Sequence, residues 1–335
     1  ETAWIAALTD HGRGARENIK PGDEPFELFK GFNWVFIVVV MVILSMGWFA
    51  VAAVMIDPAQ GDLIGQAVSV AVAGAVLIWI MAEYFIRRRR MVAPAIALSI
   101  FWAGNALAGF TAAFAEPFMV GQEDYQSLPF PAALATGAIF LFWLRFRVPF
   151  AMAMIALGAF IVALVWTAAS AGTPQSPEDI FLLSSDGPFA LVTLVIGFVV
   201  FVAAMVFDMS DPHRVTRRSK NGFWLHVIAA PALVNTVALT LFTAGTNTAF
   251  LLLALVLLLF ALIAIIIDRR SFLIAAVGYC VALSSAVFGG EGGGYGILIL
   301  GASLVILGAA WERMRARLLR IFGPMLPLDR LPPSV

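Results

Sequence analysis

The sequence predicts an all-α fold: a polytopic transmembrane helix bundle of about ten spans with both termini cytoplasmic, N-in and C-in. Three observations predict it. Of 335 residues, 61% are hydrophobic and 13% are charged, about half the charged share of a soluble domain, so the chain lacks the polar surface needed in water. Its apolar residues fall in runs of roughly 20, the length at which a helix crosses a hydrocarbon core of about 30 Å. Membrane strands are about half that length and alternate apolar with polar, whereas these runs are apolar on every face. Finally, the basic residues occupy only alternate connections between the runs.

Residues 1–32 form a cytoplasmic segment of mixed charge, without the apolar core of a signal peptide. Phe26, Leu28, Phe29 and Phe32, interleaved with Glu27 and Lys30, read as a short interfacial helix. The bundle spans 33–311. Its expected helices are 33–56, 64–86, 91–115, 128–144, 148–169, 188–207, 222–243, 248–267, 271–288 and 295–311. Residues 312–335 form a cytoplasmic tail in which Arg313, Arg315, Arg317 and Arg320 alternate with Met314, Leu318, Leu319 and Ile321. This is the pattern of a basic amphipathic helix at the membrane interface, and a helix that binds a protein partner is the other reading. Trp34, Trp48, Trp102, Trp143, Trp224 and Trp311 lie mostly near span ends, where interfacial aromatics belong.

The connections set the orientation. Arg87 to Arg90, Arg145 and Arg147, Arg214 to Lys220, and Arg269 and Arg270 fall in alternate loops, and the two tails carry the remaining basic residues. Connections 57–63, 116–127, 170–187, 244–247 and 289–294 hold no Lys or Arg. The positive-inside rule then places every basic turn and both ends in the cytoplasm. Several inward helices end in an acid followed by basics: Glu83 before Arg87, Asp208 before Arg214, Asp268 before Arg269. Either repeated hairpins with the same topological charge or an internal duplication produces this pattern.

Polar residues inside spans are costly, so each needs a partner or a purpose. The candidates for a ligand- or proton-binding site are Glu83, His226, Asn105, Asn235, Thr236 and Pro231. Glu83 and His226 sit at similar depth, and a contact between them would make a proton-carrying pair. Otherwise Glu83 reaches to the interface or pairs with Arg87 or Arg88. Pro231 frees a backbone carbonyl near Asn235 and Thr236, so a bent polar helix at mid-depth is expected there. The plainer alternative for Asn105, Asn235 and Thr236 is hydrogen bonding between helices. Small-residue pairs, Gly65 with Ser69 and Gly104 with Ala108, point to close helix contacts.

Gly289 to Gly294 lacks the Lys-Ser/Thr ending of a phosphate loop and reads as a turn. There is no His-Glu-x-x-His, Gly-x-Ser-x-Gly or paired-cysteine motif. No catalytic residue, metal site or cofactor is assigned, and the chain is not expected to be an enzyme. With zero net charge, nucleic acid is not an expected partner. Membrane lipid is, and a protein partner within a membrane complex is the further candidate.

Several segments carry a resemblance: Ala82-Glu83-Tyr84-Phe85 before Arg87–Arg90; Asp211-Pro212-His213-Arg214 leading into Phe223-Trp224-Leu225-His226 and Ala229-Ala230-Pro231; Asp268-Arg269-Arg270; and Gly308-Ala309-Ala310-Trp311. From about Gly31 onward the chain resembles a group of uncharacterised multispanning bacterial proteins, chiefly proteobacterial, identified only as predicted membrane proteins. The resemblance implies an inner-membrane location and carries no catalytic role. Two functions follow as expectations: a transporter or permease-like protein for a small solute, or a non-catalytic accessory or scaffold subunit of a membrane complex.

Overall fold

In the computed structural model, residues 33–116, 125–325 and 327–333 are described. The interfacial helix expected over Phe26 to Phe32 lies outside them. Among the described residues the chain is all helical and has no strand. Ten α-helices follow one another: α1 Asn33–Met55, α2 Leu63–Ala82, α3 Val92–Phe114, α4 Pro129–Phe146, α5 Pro149–Ala171, α6 Phe189–Met209, α7 Arg217–Thr243, α8 Asn247–Ile267, α9 Ser271–Ala309 and α10 Trp311–Phe322. Eight helices, α1 to α8, are long and apolar enough to cross a membrane, and the chain is an integral membrane protein.

The turns use one backbone device on each side. The four turns richest in arginine each contain a non-glycine residue with positive φ: Arg90, Arg147, Arg214 and Asp268, at 51° to 55°. Arg147 and Asp268 are left-handed C-caps, which end a helix within one position and suit hairpins this tight. Turns without basic residues have their positive φ at glycine instead, at Gly61, Gly172 and Gly245. Side-chain caps fix other ends. Asp62 accepts from Gly65 N, Thr246 from Ala249 N, and Ser176 and Asp179 form a capping box around Pro177–Ile180.

The chain divides into two compact units. The first holds α1 to α5. Its core gathers Ala82, Ile86, Ala95, Leu98, Phe142, Phe146 and Ala151 around an aromatic stack. Trp79 lies 5.3 Å from Trp102, Trp102 stacks on Phe142 at 5.5 Å, and Phe142 meets Phe146 at 4.6 Å. Trp102 also donates its indole N–H to Ala138 O at 2.9 Å. It is therefore a packing residue between helices rather than an interfacial anchor. Gly104 has nothing within 4 Å of a built Cβ, and Gly65 meets only its own cap. The close approaches fall elsewhere: a Cβ on Gly109 would stand 2.7 Å from Ala71 Cβ, and one on Gly74 would stand 2.6 Å from Asn105 Oδ1.

The second unit holds α6 to α10, apart from Arg217. Its core is Leu233, Val234, Ala238, Leu253, Leu257, Ala264, Ile267 and Phe272. Here the structure corrects an expectation. Residues Ser271–Ala309 form one 39-residue helix, where two helices, 271–288 and 295–311, joined by a turn at 289–294 were expected. A straight helix of that length would extend about 58 Å. Yet Trp311, just past its end, donates to Asp268 Oδ1 at 2.7 Å, and Arg270 lies over the Trp311 ring at 5.1 Å. The element therefore doubles back. Cys280, Leu283, Ile299 and Ser303 line one apolar cavity against α8, which brackets the reversal between Val287 and Ile299. The glycine run lies inside that bracket.

The tail brings a second correction. Trp311, Arg315 and Leu319 share the buried face of α10, spaced by one helical turn each. Arg315 is 1% exposed and donates to the carbonyls of Pro332 and Pro333. It ties the C-terminal segment to the helix and does not face the interface. Burial pulls its guanidinium below its ordinary pKa, against the opposing pull of Asp268 and Glu312. Arg313, Arg317 and Arg320 are exposed on the opposite face.

Candidate functional site

The densest polar chemistry in the second unit lies where α6 ends, α7 begins and α8 turns into α9. Asp208, in the last turn of α6, is buried. Arg269, in the α8–α9 turn, donates to both its oxygens: Nη2 to Oδ1 at 2.5 Å and Nε to Oδ2 at 2.9 Å. This two-pronged geometry is the strongest carboxylate pairing a side chain offers. Arg269 Nη2 also donates to Ser219 O at 2.8 Å, joining the start of α7.

His226 completes the cluster from α7. Its ring is 0% exposed, and Nε2 lies 3.0 Å from Asp208 Oδ2. A carboxylate already held by arginine only accepts, so Nε2 carries the proton and donates. Phe201 and Phe272 close on the imidazole edge to face, at 5.6 and 5.9 Å between centroids. Nδ1 is left without a hydrogen-bond partner inside this box.

A second layer abuts the first. Arg214 Nη1 pairs with Asp268 Oδ2 at 2.7 Å, and its Nη2 donates to Asp268 O at 2.8 Å and Ile267 O at 3.1 Å. Asp268 spends its other oxygen on Trp311. Burial draws the Arg214 guanidinium below its ordinary pKa, and neighbouring Arg269 adds to this, while Asp268 and Asp208 oppose it. One carboxylate thus holds the α8 end, the loop after α6 and the returning α9–α10 junction together.

Backbone packing is shaped to admit the cluster. A Cβ on Gly222 would strike Asp208 Oδ1 and stand 3.1 Å from Ala204 O. Gly222→Ala is expected to lower stability by about 1–3 kcal/mol through overpacking. Gly104→Ala, with open space around it, is expected to be neutral or slightly stabilising. Thermal unfolding of the two purified variants side by side checks the difference.

Of the sequence candidates, only His226 enters this cluster. Glu83 does not pair with it. Glu83 belongs to a π-helical turn, Glu83–Arg88, that extends α2, and it binds Arg145 at 2.6 Å and Arg87 at 3.1 Å. Asn105 donates to Ala71 O at 2.9 Å, stapling α3 to α2. Thr236 is fully buried and donates to Ala232 O at 2.6 Å, within its own helix. Helix α7 continues through Pro231, which is exposed, and Asn235 one turn on is half-buried.

Asp208 and Arg269 were absent from the sequence candidates, yet a signal for them existed. Glu83 and Asp208 each precede a basic turn, and each pairs with an arginine of the next basic turn along the chain. That partner lies 62 residues on in the first unit (Arg145) and 61 in the second (Arg269). Repeated hairpins two spans apart and an internal duplication both produce this spacing. The pair is 8% exposed on both sides in the second unit. It is 31% and 39% exposed in the first. No known family, curated protein or solved structure matches the chain.

Proposed function

We propose that the chain is a non-catalytic accessory or scaffold subunit of a membrane complex, crossing the bacterial inner membrane ten times with both termini cytoplasmic. The observation that carries the functional reading is where the membrane-depth polar groups go. Asn105 and Trp102 donate to backbone carbonyls of neighbouring helices, Thr236 to a carbonyl of its own helix, and Asp208 accepts from Arg269 and lies 3.0 Å from His226 Nε2. All four spend their polar atoms inside the protein, and Asn105, Trp102 and Asp208 fasten one element to another rather than lining a solute path. The cavity against α8 is walled chiefly by Leu, Ala, Phe and Ile, which suits lipid or a partner helix better than a hydrophilic solute.

The topology is supported by the confinement of Lys and Arg to alternate turns. The doubled-back α9 adds two passes to the eight and returns Trp311 to the level of Asp268. The bacterial location rests on the sequence resemblance.

A permease-like role is the second reading, favoured by the unpartnered Nδ1 of His226. One experiment separates the two: a density map of the protein extracted with its native lipid. Scaffolding predicts partner helices at constant stoichiometry against the exposed apolar faces. A solitary chain with a polar ligand at His226 Nδ1, together with solute uptake lost in His226→Gln across about pH 5 to 8, would replace it with transport.

A further inference from the structure

The two units carry the same acid–arginine pair, closed in one and open in the other. In the first unit Glu83 holds two guanidiniums at once, Arg145 through Oε1 and Arg87 through Oε2. The carboxylate places them side by side and uses one nitrogen of each. A guanidinium has five N–H donors, so both retain donors directed away from Glu83. Arg87 and Arg145 are 51% and 39% exposed.

The surroundings add charge and an aromatic rim. Arg88 and Arg147, adjacent or nearly so in sequence to Arg87 and Arg145, are exposed. Arg147 lies over the Trp143 ring at 4.6 Å, and Arg89 donates to Tyr84 Oη at 3.0 and 3.1 Å. Two arginines therefore bind one carboxylate, and Arg88, Arg89 and Arg147 lie within two residues of them along the chain. The same helices continue into exposed apolar side chains: Ile80 at 60% on α2, Leu141 at 61% and Leu144 at 40% on α4. Phosphate-binding donors thus adjoin a surface suited to acyl chains.

We infer that Arg87 and Arg145, bridged by Glu83, bind the phosphodiester of an anionic phospholipid whose chains lie along α2 and α4. A lipid fits better than a free anion because the cationic array and the apolar flank are continuous on the same two helices. The site is preorganised: Glu83 sets the spacing of the two guanidiniums before the phosphate arrives. It deepens the membrane reading and depends on neither a protein partner nor the assigned orientation.

The test uses the full chain purified in a neutral detergent. Phosphatidylglycerol is titrated against phosphatidylcholine and inorganic phosphate, with bound lipid counted by native mass spectrometry. Phosphatidylglycerol is expected to bind and the other two are not. Each guanidinium near an anionic lipid contributes about fivefold, so Arg87→Gln with Arg145→Gln is expected to weaken binding about thirtyfold. Glu83→Gln is the deciding variant. Preorganisation predicts weaker binding, because the two arginines lose their spacer. Diffuse attraction predicts tighter binding, because a negative charge is gone, and that result overturns the proposal. So does Arg88→Gln weakening binding as much as Arg145→Gln, or inorganic phosphate displacing the lipid. Melting of each variant without lipid identifies any that fail to fold. Since Arg87 and Arg145 are exposed, Arg87→Lys with Arg145→Lys keeps the charge and is expected to recover part of the affinity.

Discussion

Asp208→Ala is expected to be the most damaging single substitution, lowering stability by about 3–5 kcal/mol, the range for stranding a buried charge. Asp208 accepts from Arg269 and His226 in a site where all three side chains are buried. Without the carboxylate, Arg269 retains only the Ser219 carbonyl among its hydrogen-bond partners here, and its charge stays in a low-dielectric setting. The measurement is thermal unfolding with the yield of monodisperse protein in detergent. Asp208→Asn keeps the shape and loses the charge, so it should fall between the wild type and alanine. Asp208→Ala with Arg269→Ala should cost less than the two single changes added together, because the stranded charge goes with its partner. Strict additivity would show that the pair is not an energetic unit.

Trp311→Ala should follow, at about 3–5 kcal/mol for emptying a buried tryptophan site. The indole is 3% exposed, donates to Asp268 and lies beneath Arg270. It holds the returning arm of α9 and the start of α10 at the α8–α9 turn. Removing it should free the tail as well as lower the melting point. Limited proteolysis at Arg313, Arg317 and Arg320 is expected to speed up before global unfolding. Trp311→Phe keeps most of the packing and loses the hydrogen bond, so about 1 kcal/mol is expected. An unchanged cleavage rate in Trp311→Ala would mean that the junction is held by something other than this ring.

The two sites are related through the repeat. The same pairing of an acid with the next basic turn occurs in both units, and its surroundings differ. The second unit buries its pair with a histidine and a second ion pair, Arg214 with Asp268, and it becomes a fastener. The first unit leaves its pair at the surface on a π-helical turn, where an anion has access. A wider turn of this kind is common where a helix has a task besides packing.

The helices themselves were legible in the sequence. For α1 to α6 and α8, the expected bounds match the observed ones within two residues, apart from the π-helical extension of α2. Helix α7 begins five residues earlier than expected, at Arg217, because its first turns are polar and carry no hydropathy signal. The acids that matter were visible as a repeated pattern. Their partners were not. Hydropathy does not distinguish Arg315 from Arg313, Arg317 and Arg320, since all four follow one basic run. Only packing shows that Arg315 shares a face with Trp311 and Leu319 and turns inward.

The sequence by itself determined that this is a helical membrane protein, where most of its helices begin and end, and which turns are basic. Those follow from run length, composition and charge order, which are properties of the chain in one dimension. Only the tertiary structure decided that Glu83 binds Arg145, that His226 binds Asp208 and that Asn105 fastens two helices. Each of those depends on which helix faces meet, and a period of 3.6 residues specifies a face without specifying its neighbour.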